Sequence, residues 1–254
     1  MFEAIDWNAV LPFVAIGFAA QMVDGALGMA FGVIVSTLLI GVMGMPPALA
    51  SASVHAVESF TTAASGLSHV AHRNVDWRLF RRLVIPGVIG GVLGVYVLTS
   101  IDASVARPFV MAYLTAIGLW LLARAWRGAV VPRAPRVIAP LGLAGGFLDA
   151  AGGGGWGPVV TSNLLVQGAA PRTTIGTVNT AEFFLAATIS AAFVATTGVA
   201  AFTLQAVGLL IGGLLAAPFG AMIAKRVPAR GLLALVGTLL TLTSVWSIWQ
   251  ALSR

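Results

Sequence analysis

Two aspartates in this 254-residue chain each precede a glycine-rich stretch. Asp24 is followed by Gly25-Ala26-Leu27-Gly28, and Asp149 by Ala150-Ala151 and then Gly152 to Gly155. A carboxylate ahead of a helix start can cap two or three unpaired backbone N–H groups, and glycine lets a ligand come close to the backbone. The same helix start, with free donors and a partial positive charge, is a cradle for an anion. Two glutamates, Glu58 and Glu182, fall about three turns inside apolar segments, too deep for capping. An isolated carboxylate at such depth must be neutralised or paired, so each is a candidate proton carrier; the plainer alternative is a protonated acid bonded to a facing carbonyl. His55 and Asn179 stand three residues before the glutamates on the same helical face, with Ser53 and Thr177 close by. These residues can floor a polar pocket facing Gly28, Gly32, Gly153, Gly154, Gly155 and Gly157. Asn163 has no polar counterpart at Leu38, which makes the pocket lopsided.

The elements that must position these groups follow from composition. Residues of the chain are 59% hydrophobic and 9% charged, with no cysteine, whereas a soluble domain carries about 25% charged residues. Such a chain cannot cover a water-facing surface, so it is expected to be an all-α polytopic membrane protein. A disulfide-stapled domain, a cysteine-ligated metal and a disordered chain are excluded. Six apolar runs are long enough for the roughly 20 residues of a membrane-crossing helix: Pro47 to Val70, Phe80 to Thr99, Ser104 to Ala123, Arg172 to Thr197, Phe202 to Ala224 and Gly231 to Leu252. Four runs are shorter: Trp7 to Val23, Ala30 to Met43, Ile138 to Leu148 and Trp156 to Gln167. The run from Ile138 to Leu148 reaches only about 17 Å as a helix. Each short pair meets at one of the glycine-rich breaks and reads as a re-entrant or merely short helical hairpin, whose irregular tip must be buried in protein or line a wet cavity. Glu3 and Asp6 stand where the basic start of a cleavable signal peptide is expected. No Lys or Arg falls inside the apolar runs at midplane depth. A bound anion is therefore to be held by helix ends, amides and hydroxyls, which suits a small, compact anion that must also be released.

The chain repeats itself. An offset of 125 residues pairs Gly17, Asp24, Gly28 and Gly32 with Gly142, Asp149, Gly153 and Gly157, and an offset of 124 pairs Pro47, Val54, Glu58 and Phe60 with Pro171, Val178, Glu182 and Phe184. Twelve of the 14 basic residues collect on one face if each hairpin returns to the side it entered from, and by the positive-inside rule that face is cytoplasmic. Each repeat then crosses an odd number of times, so the second is inverted relative to the first, and substrate sites of such proteins lie near the midplane at broken helices. The expected organisation is a first repeat over residues 1–128, a basic cytoplasmic linker over 129–136 and an inverted second repeat over 137–254, with both termini outside. Each repeat holds one hairpin and three transmembrane helices.

At Gly145-Gly146-Phe147-Leu148-Asp149 with Gly152 to Gly157, at Pro171 to Glu182, and at His55-Ala56-Val57-Glu58, Ser65 to His69 and Asn74-Val75-Asp76, the chain resembles the sulfite exporter TauE/SafE family of membrane permeases over nearly its whole length. The resemblance implies a permease for sulfite, organosulfonates or related small anions. The first half departs from the glycine run, with Ala26, Leu27 and Met29 in place of small residues, so the two hairpins are not expected to contribute equally. The resulting expectation is a secondary transporter of the inner membrane, alternating access about a midplane pocket, driven by protons through Glu58 or Glu182 or by the anion's own gradient and the membrane potential. A passive anion channel of the same architecture is the runner-up. Ser51 and His55, four apart on one helical face, also admit an intramembrane hydrolase, although the repeat carries Ile175 and Asn179 there, and a scaffolding subunit would not need duplicated buried acids. The expected partners are a small anion and the lipid bilayer, with no nucleic acid, cofactor, metal or catalytic residue, and a homo-oligomer is left open.

Overall fold

A computed structural model describes residues 7–27, 29–126, 134–198, 204–226 and 229–253. Among these every regular element is helical. Helix α1 covers Trp7–Leu27 and is followed by α2 (Phe31–Ser36), which runs on into a wider π-helical stretch, Thr37–Val42. Then come α3 (Pro47–Ala71), α4 (Trp77–Ser100), α5 (Ala103–Trp126) and α6 (Ala139–Gly152). A π-helical stretch, Trp156–Thr161, leads into α7 (Ser162–Val166), and α8 (Pro171–Thr197), α9 (Leu204–Arg226) and α10 (Ala229–Leu252) complete the chain. Four helical segments, within α4, α5, α8 and α10, are long and apolar enough to cross a membrane by length and composition. Helix α3 is as long, but its buried Ser51, Ser53, His55 and Glu58 dilute its hydropathy.

Local chemistry explains the boundaries. Proline opens both α3 and α8 at Pro47 and Pro171, where its missing N–H costs nothing and its fixed φ suits the first turn. The Asp76 carboxylate caps α4, accepting from the N–H groups of Arg78 and Leu79 at 2.9 and 3.1 Å. The expected short run ending at Val23 is corrected: α1 spans 21 residues, about 31 Å of rise, because Asp24 does not end the helix but sits in its last turn. Asp149 likewise lies inside α6. The linker expected over 129–136 is described only from residue 134 onward, where the backbone has no regular secondary structure up to α6.

The long helices pack in pairs, α1 on α9, α6 on α4, α5 on α10, and α3 on α8. Glycine makes the first two seams close. A Cβ on Gly212 would lie 2.7 Å from the Phe18 nitrogen, one on Gly17 2.8 Å from Leu209 Cα, and one on Gly90 2.9 Å from the Phe147 nitrogen. Outward-facing side chains are large and apolar: Ile85, Ile89, Leu93 and Tyr96 on α4, Phe109 and Leu119 on α5, and Trp246 and Trp249 on α10 are exposed. A contiguous apolar exterior of this kind is matched by lipid tails and not by water. The polar side chains Ser36, Ser51, Ser53, His55, Thr161 and Thr177 are wholly or almost wholly buried.

The ends of the bundle are tied by polar contacts. Gln167, just after α7, accepts through Oε1 from the N–H groups of Arg136 and Val137 at 2.9 and 3.1 Å, so the exit of α7 lies beside the entry of α6. The α3–α4 turn lies at this same end, where Arg78, Arg82, Pro135, Ala170 and Thr173 line one groove and Arg172 Nε donates to Asn74 Oδ1 at 2.7 Å. At the far end of α4, Arg107 Nη2 donates to the Ile40 carbonyl at 2.8 Å, so the exit of the α2 stretch lies one helix length, about 36 Å, from that of α7.

Candidate functional site

The two helix breaks are built alike. Asp24 Oδ1 accepts from the N–H groups of Ala30 and Phe31 at 2.7 and 3.1 Å; Asp149 Oδ1 accepts from those of Gly155 and Trp156 at 2.6 and 2.9 Å. All three positions correspond at the offset of 125. Each aspartate thus belongs to the last turn of one helix and reaches over the break to cap the next, six and seven residues on. This differs from an ordinary N-cap, which adjoins the helix it caps. The donors that sequence reasoning offered to an anion are held here by the protein's own carboxylates.

The two breaks also touch. A Cβ on Gly32 would fall 2.8 Å from Gly154 Cα and one on Gly157 2.6 Å from Met29 Cα. Ser36 Oγ donates to the Gly153 carbonyl and Tyr113 Oη to that of Gly154 at 3.1 Å. Gly153 ends α6 with φ of 68°, and Gly154 has φ of 151°, both open to glycine and strained for other residues. Trp156, fully buried, pins the second break to α8 by donating from Nε1 to the Val178 carbonyl at 3.2 Å.

Between the breaks is a void of about 10 Å³, lined by Asp24, Glu58, Asp149 and Glu182 together with Gly32, Gly154, Gly155 and Gly157. Half of the chain's eight acidic residues therefore converge on a space for about one water molecule. Glu58 is held on one side by the Gly32 N–H, while its Oε2 is buried without a hydrogen-bond partner among the described residues. His55, fully buried, places Nε2 3.1 Å from Asp149 Oδ2 and Nδ1 2.7 Å from the Ser51 carbonyl.

Other residues expected at the pocket are placed elsewhere. Thr177 Oγ1 donates to the Thr173 carbonyl at 2.6 Å and accepts from the Asp76 N–H at 2.9 Å, serving the entry of α4. Asn179 Nδ2 donates to Ser65 Oγ at 3.2 Å, and Asn163 Nδ2 to its own helix at the Val159 carbonyl, 2.6 Å away. Ser53 is fully buried in α3 but does not line the void, and Gly28 lies outside the described residues. Ser51 Oγ donates to the Ala150 carbonyl at 2.6 Å, and the imidazole nitrogen nearest it points at a carbonyl; this pair is not arranged as nucleophile and base. Sequence reasoning did not find Gln21, Ser36 or Tyr113. Gln21, one turn before Asp24, carried a signal in its spacing, whereas Ser36 and Tyr113 carried none.

A family model described as Sulfite exporter TauE/SafE matches residues 13–247. The chain belongs to this family. It is also 40% identical over 244 residues to a probable membrane transporter protein, YtnM, of Bacillus subtilis, covering 92% of this chain and 81% of that one. No solved structure matches the chain. Membership together with the apolar helices makes this a multi-pass membrane protein of a permease family, as the motifs around Asp149, Glu182 and Glu58 implied.

Proposed function

We propose that the protein is a secondary transporter for a small anion such as sulfite or an organosulfonate, working by alternating access about the two breaks. The observation that carries this reading is the meeting of both breaks, with four duplicated carboxylates, at one small void. A space for one water cannot contain a sulfite ion. For an anion to enter, the breaks must part. The amides of Ala30, Phe31, Gly155 and Trp156 are the donors it needs, and Asp24 and Asp149 must release them. An anion among four carboxylates is repelled unless protons accompany it, which ties anion entry to proton entry and gives Glu58 or Glu182 a role as carrier.

An inverted arrangement of the two repeats is the second part of the proposal. It is supported by the packing, because at the repeat offset α1 corresponds to α6 and α4 to α9, so the pairing of α1 with α9 is the pairing of α6 with α4 in exchanged form. It is supported again by the exits of α2 and α7 at opposite ends of the bundle. Two re-entrant hairpins from opposite leaflets with tips in contact satisfy both features, and put the basic groove on the cytoplasmic side of the inner membrane with the termini outside.

Flux in proteoliposomes tests the proposal. Sulfite loaded on one side is expected to cross with saturating kinetics, and at least one of Glu58→Gln and Glu182→Gln to slow pH-driven accumulation by at least about tenfold, as befits removal of a proton carrier. Flux that rises linearly with concentration would assign a channel instead, and none at all ends the proposal for this anion class.

A further inference from the structure

The contacts of His55 fix where a proton must be. Nδ1 stands 2.7 Å from the Ser51 carbonyl oxygen, which can only accept, so Nδ1 carries a hydrogen. The Ser51 hydroxyl, 3.3 Å from the ring, spends its own hydrogen on the Ala150 carbonyl at 2.6 Å. The other ring nitrogen, Nε2, faces Asp149 Oδ2 at 3.1 Å. A neutral ring with its hydrogen on Nδ1 presents a lone pair at Nε2, and a carboxylate oxygen presents lone pairs as well. Their contact is attractive only with one proton between them, bonded to the ring or to the acid. Beside this pair, His55, Glu58 and Asp149 each bring a side-chain nitrogen or oxygen within 4.8 Å of the others, and Glu58 Oε2 has no hydrogen-bond partner among the described residues.

The matched seam in the other half is built differently. Asn179 replaces His55 and turns to Ser65 Oγ at 3.2 Å, while Asp24 Oδ2 accepts from Gln21 Nε2 at 3.4 Å. At that seam the aspartate is met by an amide N–H in place of an imidazole. The ionisable groups around the His55 pair are Glu58 on its own helix, Asp149 from α6, Asp24 from α1, Glu182 from α8, and Tyr113 from α5, which reaches the Gly154 carbonyl.

We propose that His55 and Asp149 form a one-proton store whose exchange partner is Glu58, and that this seam, not its counterpart at Asp24 and Asn179, carries the coupling proton. Transfer breaks the N–H or O–H bond of the shared proton and forms an O–H bond on the Glu58 carboxylate, leaving a neutral ring against ionised Asp149. Their lone pairs then oppose each other, the carboxylate is pushed from its place, and the same carboxylate holds the amides of Gly155 and Trp156. Proton position is in this way linked to the geometry of the second break. The word coupling rests on the transport reading; the store itself does not.

The chain has three histidines, so a His69→Gln, His72→Gln protein carries His55 alone. Its imidazole nitrogens, labelled with nitrogen-15 and read by NMR in lipid nanodiscs at neutral pH, are expected to show Nδ1 protonated and Nε2 bonded to a shared proton. Adding Asp149→Asn is expected to turn Nε2 into an unprotonated acceptor. A bare Nδ1, or a bare Nε2 with Asp149 intact, overturns the store, and if Asp149→Asn does not fold the parent spectrum decides alone. In vesicles with a trapped pH dye, sulfite-driven proton movement is expected to fall at least tenfold in Glu58→Gln. An equal fall in the proton-to-sulfite ratio for Glu182→Gln overturns the assignment to one seam. Absence of sulfite flux from the unsubstituted protein overturns the transport reading, which the NMR arm does not need.

Discussion

Asp24 and Asp149 are the residues on which the site's geometry hangs, since one oxygen of each satisfies two backbone donors that the helix breaks would otherwise leave bare. A buried donor without a partner costs about 1–3 kcal/mol, so Asp24→Ala and Asp149→Ala are both expected to lower the melting temperature in detergent, with Asn at either position milder because its carbonyl still accepts. Asp149→Ala should fall further, as it also strips His55 of its partner; a wild-type melting temperature would refute the capping role. These aspartates and the two glutamates were legible in the sequence because duplication at constant offset picks out residues that apolar helices do not otherwise keep. The pairing of His55 with Asp149 was not, because 94 residues separate them and a helical face says nothing of what stands opposite. Thr177 shows the reverse failure. Its matched position beside Glu182 suggested a pocket, yet helical rotation and depth deliver its hydroxyl to the start of α4.

At the scale of elements, the glycines divide into those that let helices approach and those that shape the breaks. Gly154 does both, with φ of 151° and Gly32 packed against it. Gly154→Ala adds a methyl where the backbone disfavours one, at a cost of order 1–3 kcal/mol, and is expected to lower the melting temperature and to part the breaks; a neutral outcome in thermal unfolding would show that they do not touch. The turn between α4 and α5 supplies a pH-dependent element outside the apolar segments. Hydrogen bonds from the Ser104 hydroxyl and N–H hold the Asp102 carboxyl below its ordinary value. Because the folded value is the lower one, its stabilisation is complete above the unfolded value of about 3.9 and is lost as pH falls through the folded value. Asp102→Asn is expected to flatten that part of the acid-unfolding curve. The long helices were readable from run length alone, while the extension of α1 past Asp24 and the two π-helical stretches were not, because hydropathy does not report them.

For the whole molecule, the proposed inverted arrangement makes a prediction that no single helix can. Pro46 and Ala170 are matched at the offset of 124, and both are exposed. With no native cysteine to interfere, Pro46→Cys and Ala170→Cys are expected to react with a membrane-impermeant maleimide from opposite sides, Ala170→Cys from the cytoplasm only. Labelling of both from one side would end the inverted plan.

The amino-acid sequence by itself determined that the chain lives in lipid, that it is one unit written twice, and which four acids recur at matched positions. Composition, run length and repetition are local quantities that survive without coordinates. Only the tertiary structure decided that both breaks meet at one small void, that the backbone donors there are already taken by Asp24 and Asp149, and that one seam has an imidazole where the other has an amide. Those facts depend on which residues from distant segments come within hydrogen-bonding distance, and that is set by the packing of α1 on α9 and α6 on α4, where close glycine seams bring the two breaks to the same depth.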